Sequence, residues 1–479
     1  MPGVSTVAII GGGPGGYEAA LVARQLGAEV TLIDRDGIGG SAVLTDCVPS
    51  KALIATADVI TDAATSAGLG VLVDGRPPSP ELFGVDLAAV NERILDLVRA
   101  QSDDIRTRLA SDGVQMIEGR GRLAPDGSVV ITHPDGREEL LAAETVLLAT
   151  GARPRTLPDA VPDGERILTW EQVYRLTEVP ERLIVVGSGV TGAEFAGAYH
   201  ALGSRVVLIS SREHVLPGED PDAARVLEEV YARRGVEVMS SSRAVAARRV
   251  SEADDGSEGV EVMLASGEIV RGSHVLMAVG SLPNTQGLGL DESGVETDDR
   301  GFIRVDRVSR TSRRGVYAAG DCTGVLMLAS VAAMQGRIAM WHALGDAVTP
   351  LELATVSSTI FTNPEIATVG LSQRDLDEGH FRGDVVLLPL ASNARAKMAQ
   401  QRDGFVKLFC RRGSRIVAGA VIVGQHASEL IHPLTIAVEQ RLTVDELAAT
   451  FTVYPSLSGS TAEAARRLHL SAEEPPHEG

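Results

Sequence analysis

The chain has 479 residues, enough for about three domains of ordinary size and a large core. With 44% hydrophobic and 23% charged residues and a mean hydropathy of +0.09, it is neither a disordered chain nor a bundle of membrane helices. A net charge of −20, from 64 acidic and 44 basic residues, argues against a general nucleic-acid binder and leaves room only for a locally basic anion site. No apolar run reaches the 18 or so residues that a membrane span needs. Cys47, Cys322 and Cys410 are too far apart for a disulfide framework or a metal knuckle. Only Lys51, Lys397 and Lys407 are lysines; the other basic residues are arginines. No basic-then-apolar leader precedes the first strand, so a reducing cytoplasm is the expected location.

The opening VSTVAII is short, apolar and β-branched, as a buried parallel strand is. It meets the run Gly11-Gly12-Gly13-Pro14-Gly15-Gly16, then a helical pattern ending near Gly27, then the strand EVTLID ending at Asp34. Residues 85–112 predict a long amphipathic helix with Leu87, Val90, Ile94, Leu97 and Val98 on one stripe. Strands VQMIEGR, SVVITH and TVLLAT follow, the last reaching Thr150 and Gly151. A Pro- and Gly-rich crossover then leads to a second β-α-β unit: RLIVVG, a turn with Gly187, Gly189 and Gly192, a helix rich in small residues, and RVVLIS. The segment SEADDGSEG (251–259) predicts a solvated hairpin loop, VLMAVGSLPN closes the unit, and GVYAAGD is a strand ending in Asp321. After about residue 350 the pattern changes to strands such as VKLFC and IVAGAVIVG with helices near 427–440 and 461–468. The expected domains are 1–151, 152–281, 282–350 (returning to the first) and 351–470, with a disordered tail at 471–479.

Gly11, Gly13 and Gly16 stand between a strand and a helix. In that setting the first glycine permits the tight turn, the second lets a pyrophosphate approach the backbone, and the third lets helix pack on strand. The helix N-terminus offers free N–H groups and positive potential, and Asp34 can accept from a ribose diol. Gly187, Gly189 and Gly192 repeat the arrangement, but Ser210 holds the position of the ribose acid. A carboxylate there would repel a 2′-phosphate; Ser210 with Arg212 could accept one. Arg212 can also be read as an ordinary strand-end charge, and His214 as a surface residue. Two such folds suggest a bound flavin and a visiting nicotinamide hydride donor.

Together GGGPGG (11–16), GG with CVPSK (39–51), ATG (149–151), GSGVTGAE (187–194), G-x-x-PN (280–284) and AAGD (318–321) resemble the pyridine nucleotide–disulfide oxidoreductases of the lipoamide dehydrogenase and glutathione reductase type. The resemblance covers nearly the whole chain. It implies an α/β fold with two Rossmann-like domains, for FAD and NAD(P), and a C-terminal α+β domain that makes a homodimer. It also implies that Asp321 binds the flavin ribityl and phosphate region. Lys51 and Glu194 would match the pair beside flavin N5, and Thr150, Gly151 and Gly280 fall in the family's nucleotide-domain segments. A Lys–Glu pair lowers the desolvation cost of each charge and places a cation where reduction builds electron density.

The departures carry the functional reading. The family's redox cysteines are spaced C-x4-C, but here the first position is Ala42 and only Cys47 remains. Dithiol exchange needs two sulfurs. The acid–base element H-P-x-x-x-E reads Tyr454-Pro455-Ser456-Leu457-Ser458-Gly459, and a phenol with a pKa near 10 is a poor thiol acid–base. A third position, usually His, is Ser330. Thiol chemistry is therefore absent while both cofactor loops are intact. A planar quinone could take electrons directly at the face bounded by Ala42, Cys47 and Tyr454, with a proton from water or Tyr454. Within the family, actinobacterial-type NAD(P)H:quinone reductases, which lack the full cysteine pair, look most similar. The expected function is FAD-dependent quinone reduction by NADPH or NADH. A soluble transhydrogenase, a peroxidase using Cys47, and a non-catalytic flavin-binding sensor or scaffold are the alternatives. Cys47 itself is read equally as a charge-transfer thiolate or a small apolar residue.

Overall fold

The structure, a computed structural model, describes residues 4–250 and 258–471, the side chains of 470 and 471 excepted. Most of the loop expected at 251–259, and all but the first residue of the tail expected at 471–479, lie outside the described residues. Strand β1 (Thr6–Ile10) runs into helix α1 (Pro14–Gln25) and strand β2 (Glu29–Asp34). One helical turn, Gly40–Leu44, precedes α2 (Cys47–Thr65). Helix α3 (Leu87–Ser111) starts at Asp86, whose side chain accepts from the Ala89 N–H at 3.0 Å. It buries Leu87, Ile94 and Val98, but Leu97 is 42% exposed. Asn91 and Ser102 complete the buried face instead, donating to Leu176 O at 2.7 Å and Ile38 O at 2.6 Å. A hydrophobic period cannot register polar residues whose partners are remote in sequence.

The second unit repeats the first as β3 (Arg182–Val186), α4 (Val190–Ala201) and β4 (Arg205–Ile209). The chain then returns through β5 (Val316–Ala318) and α5 (Ala329–Ala343). The first parallel sheet runs β5, Thr145–Leu148, β1, β2, Gln115–Glu118. The second runs Glu237–Met239, β4, β3, His274–Met277, Ile167–Thr169. The single strand expected at 114–120 is in fact two. Gly119 separates Gln115–Glu118 from Arg120–Leu123, which opens a three-stranded antiparallel sheet. Helix α5 packs on α1 at backbone contact: a Cβ on Gly336 would lie 2.1 Å from Gly15 O.

The third region is a five-stranded antiparallel sheet in the order Ser357–Ile360, Glu365–Gly370, Val417–Gly424, Phe405–Arg411, Gly383–Pro389. Helices Ala427–Glu439 and Gly459–Ser471 share its apolar core through Ile431, Leu434, Ala464 and Ala465. The architecture is the expected pair of Rossmann-like α/β units followed by an α+β region.

Candidate active site

The two glycine loops are superimposable in their steric logic. Gly11 (φ +111°) and Gly187 (φ +108°) hold turns that an L-residue rarely adopts, and a Cβ on either would lie 2.2 Å from the carbonyl oxygen of Ala149 or Ala278. A Cβ on Gly16 or Gly192 would lie 1.8 Å from the carbonyl oxygen of Gly11 or Gly187. The middle glycines differ from these. Gly13 would meet nothing closer than 3.7 Å and Gly189 nothing within 4 Å, so the protein itself does not demand glycine there. Neither α1 nor α4 has a side-chain cap, so their first N–H groups face the open space beside those glycines. Uncapped donors beside a cleared approach fit the diphosphate of a dinucleotide at both loops.

At the ends of the strands the units diverge. The Asp34 carboxylate accepts three backbone N–H groups, from Gly12 at 2.6 Å, Gly37 at 2.6 Å and Asp36 at 2.8 Å. Much of it is committed to shaping the loop, which leaves Oδ2 the freer oxygen for a ribose hydroxyl. Burial raises its pKa against the pull of those N–H groups. Ser210 is fully buried, 0% exposed. Its hydroxyl pairs with Ser188 Oγ at 2.7 Å and with the Arg212 carbonyl at 2.9 Å, and it accepts from the Arg212 N–H at 3.1 Å. Ser210, expected together with Arg212 to accept a 2′-phosphate, has its hydroxyl already engaged within the turn. Its hydroxyl holds the turn, while Arg212 stands exposed at its edge. His214 is also exposed, with Nδ1 3.4 Å from Glu228.

Between the units, Thr150 Oγ1 donates to Asn284 O at 2.8 Å and Asn284 Nδ2 donates back to Thr150 O at 3.1 Å. Gly151 (φ +67°) and Gly280 (φ +97°) flank this tie, with open space where a Cβ would point.

Three regions of the chain meet at Lys51. It lies one helical turn after Cys47 on α2, and its Nζ is 2.8 Å from Glu194 Oε2 on α4. Glu194 is 3% exposed, and its other oxygen accepts from the Phe361 N–H at 2.9 Å. The ammonium sits 5.2 Å from the centre of the Phe361 ring. Burial disfavours charge on Lys51, but the Glu194 carboxylate outweighs it, and the pKa lies above the usual value. Phe361, just past the strand Ser357–Ile360, is a site residue that no local motif announces.

Cys47 is the first residue of α2, yet its thiol is pushed up to about 12 by burial and by Asp46, with Lys51 opposing. That favours a neutral thiol over a thiolate. Asp46 is the N-cap of α2, but its carboxylate accepts no hydrogen bond from the helix. Burial, then Glu194, raises its pKa against the pull of Lys51. Asp321 is pushed up to about 6 by burial and Asp46. The Tyr174 hydroxyl is buried without a hydrogen-bond partner, and Asp46 is the strongest charge acting on it. A carboxylate directly before the surviving cysteine was visible in the sequence; Tyr174 had no comparable signal.

Ala42 lies in the turn Gly40–Leu44, ahead of Cys47. Within one chain Tyr454 is 85% exposed and is not packed against Cys47. Gly459 begins the last helix, and Ser330 is exposed at the start of α5. Cys322 and Cys410 are buried, and all three cysteines are free. Among the described residues no group of three or more His, Cys, Asp or Glu is arranged to hold a metal.

Residues 5–336 match the family described as pyridine nucleotide-disulphide oxidoreductase, and residues 356–465 match its dimerisation domain. The chain is 52% identical over 474 residues to an NAD(P)H dehydrogenase (quinone) of Mycobacterium tuberculosis, covering 97% of this chain and 94% of that protein. It is 34% identical over 463 residues to dihydrolipoyl dehydrogenase 2 of Haloarcula marismortui, covering 95% of each. A crystal structure of LpdA from Mycobacterium tuberculosis superimposes with a TM-score of 0.91 at 52% identity, covering 97% of this chain and 100% of that one. The flavoprotein disulfide reductase RclA of Escherichia coli, at 22% identity and a TM-score of 0.84, shares the fold. The chain belongs to the pyridine nucleotide-disulphide oxidoreductase family, whose members are flavin-dependent oxidoreductases that use a nicotinamide dinucleotide.

Proposed function

We propose that this protein is an FAD-dependent NAD(P)H:quinone oxidoreductase that passes electrons to a quinone without dithiol exchange. One observation carries the reading. Ala42 stands at the position of the family's first redox cysteine and only Cys47 remains, while both dinucleotide loops and the Lys51–Glu194 pair are retained. The relative from Mycobacterium tuberculosis, named for quinone reduction, supports it. FAD, when bound, supplies the two-electron relay between nicotinamide and acceptor. The first loop would hold its diphosphate and the second that of NADPH or NADH. Arg212 would favour NADPH, with Ser210 contributing by its shortness and its hold on the turn. Lys51 places a fixed positive charge, and Glu194 with Phe361 aims it. Cys47 serves as a small neutral side chain. The proton for the reduced acceptor would come from water or from Tyr454. Tyr454 would reach such a site only from a second chain, so a homodimer completes it. We assign the domains as 1–151 with 282–350, 152–281 and 351–470. Three unpaired cysteines suit a cytoplasmic enzyme.

The test is anaerobic stopped-flow of the flavin-loaded protein. It is reduced with NADPH or NADH, then mixed with menadione, benzoquinone, lipoamide or thio-NAD⁺. Fast flavin reoxidation by quinones and none by lipoamide is expected. Reoxidation by thio-NAD⁺ alone would make the protein a transhydrogenase. Silence with all four would make it a flavin-binding sensor or scaffold.

A further inference from the structure

A separate cavity opens at the other end of the first parallel sheet. The glycine loops follow the C-terminal ends of the strands, whereas this cavity lies at the N-terminal end of β5, with Arg313–Tyr317 in its wall. Its volume is about 590 Å³, within the roughly 300–1,000 Å³ of small-molecule sites. A second hollow of about 330 Å³ shares Arg313–Val316 with it. Four arginines line the cavity: Arg304, Arg310, Arg313 and Arg314. Glu296 and Asp306 are its acids, so the lining charge is 4 − 2 = +2 before His342 is counted. Residues 300–314 hold six arginines and one aspartate, a local excess of 6 − 1 = +5 in a chain of net charge −20.

The partners of these arginines make the excess informative. Arg310 is neutralised by Asp306, 2.7 Å away. Among the described residues the other three have no carboxylate partner. Arg304 donates from Nε to Thr297 O at 3.2 Å, which leaves both terminal nitrogens free. Arg313 donates from one terminal nitrogen to two carbonyls, Pro125 O at 3.0 Å and Ser293 O. Its cation is thus fixed against the turn at Gly127, where Asp126 feels its charge. Arg314 is exposed, and among the described residues its side chain has no hydrogen-bond or ion-pair partner. In a chain with acids in surplus, Arg304 and Arg314 leave two uncompensated guanidinium groups on one cavity, and these repel one another unless an anion joins them. Guanidinium forks match phosphate oxygens, and two free forks exceed what one monoanion balances. The Tyr317 hydroxyl and His342 Nδ1, 2.9 Å apart, add a polar wall.

We propose that this cavity binds a diphosphate, either free or as part of a nucleoside diphosphate, at a site distinct from both dinucleotide loops. Binding involves no covalent step. Arg304 and Arg314 close on the ligand, and Arg313 stiffens the wall beside them.

The test is isothermal titration of the flavin-loaded full chain with inorganic pyrophosphate and, separately, ADP. Arg304→Glu/Arg314→Glu should weaken pyrophosphate by at least about tenfold, because two charge-assisted contacts are reversed. Flavin content and NADPH oxidation should not change, and wild-type affinity should fall as salt rises. Tighter binding of ADP than pyrophosphate, lost in the double variant, would identify a nucleoside diphosphate; equal binding of the two would identify the diphosphate alone. If the double variant loses flavin, Arg314→Gln alone should still weaken pyrophosphate. No binding to wild type at pyrophosphate concentrations up to about 10 mM would overturn the proposal. So would binding that neither variant disturbs.

Discussion

The two β-α-β units of this chain share a phosphate-loop geometry and differ at the residue that closes the second strand. In both, the first and third glycines are demanded by the protein's own backbone, with Cβ positions 2.2 and 1.8 Å from a carbonyl oxygen. In both, a Cβ on the middle glycine would meet nothing closer than 3.7 Å. The strand-end residues then part company. Asp34 keeps a carboxylate and spends it on three backbone N–H groups, while Ser210 withdraws completely and ties its hydroxyl to Ser188 and Arg212. The lesson is that a loop's capacity to accept a diphosphate and its choice of sugar are set by separate residues. The first is a matter of sterics and the second of which polar atoms the turn has left free.

The largest effect expected from this comparison is at the glycines. Gly16→Ala should abolish yellow protein, and Gly192→Ala should leave flavin bound but remove nicotinamide binding. Gly189→Ala tests the finer point. It should leave circular dichroism and melting temperature unchanged and still weaken NADPH by roughly tenfold or more, because only the ligand needs that space. An equal loss of stability in Gly189→Ala and Gly192→Ala would erase the distinction.

The acids give the next effect. Asp321, at about 6 in the folded chain, keeps a proton that an unfolded aspartate releases near 4. The folded state therefore binds more protons between those values, and stability falls as pH rises through that window. Flavin-free protein should lose on the order of 1–3 kcal/mol there. Asp321→Asn should flatten the slope in thermal melts, whereas Ser210→Ala should leave it unchanged, since the second unit's strand-end residue does not titrate.

The smallest effect concerns cofactor choice. Arg212→Ala should raise the KM for NADPH by about tenfold, a loss of roughly 1.4 kcal/mol, with NADH little changed. Ser210→Ala should affect both cofactors alike, because its hydroxyl orders the turn. A selective loss of NADPH in Ser210→Ala would return that residue to direct contact with the 2′ position.

Much of this architecture is legible in the sequence because its causes are local. β1, α1 and β2 follow from a β-branched run, three spaced glycines and a second apolar run, and the second unit repeats them. Gly119 was harder, since whether a glycine inside a strand pattern separates two sheets depends on strands far along the chain. Leu97 lies off the buried face because Asn91 and Ser102 bury themselves through carbonyls 85 and 64 residues away. The pairing of Lys51 with Glu194 was readable from family motifs, but Phe361, 167 residues beyond Glu194, is placed by the packing of the third region. Ser210's burial was invisible for a similar reason: residue type says what a hydroxyl can bond, and only the fold says what it has bonded already.

The central claim is that electrons leave without passing through a disulfide, and an anaerobic dithionite titration of the flavin-loaded protein tests it most directly. The account predicts full reduction with two electrons per flavin and no long-wavelength thiolate band, before and after Cys47→Ser. Uptake of four electrons per flavin would reveal a second redox couple in the protein and contradict it.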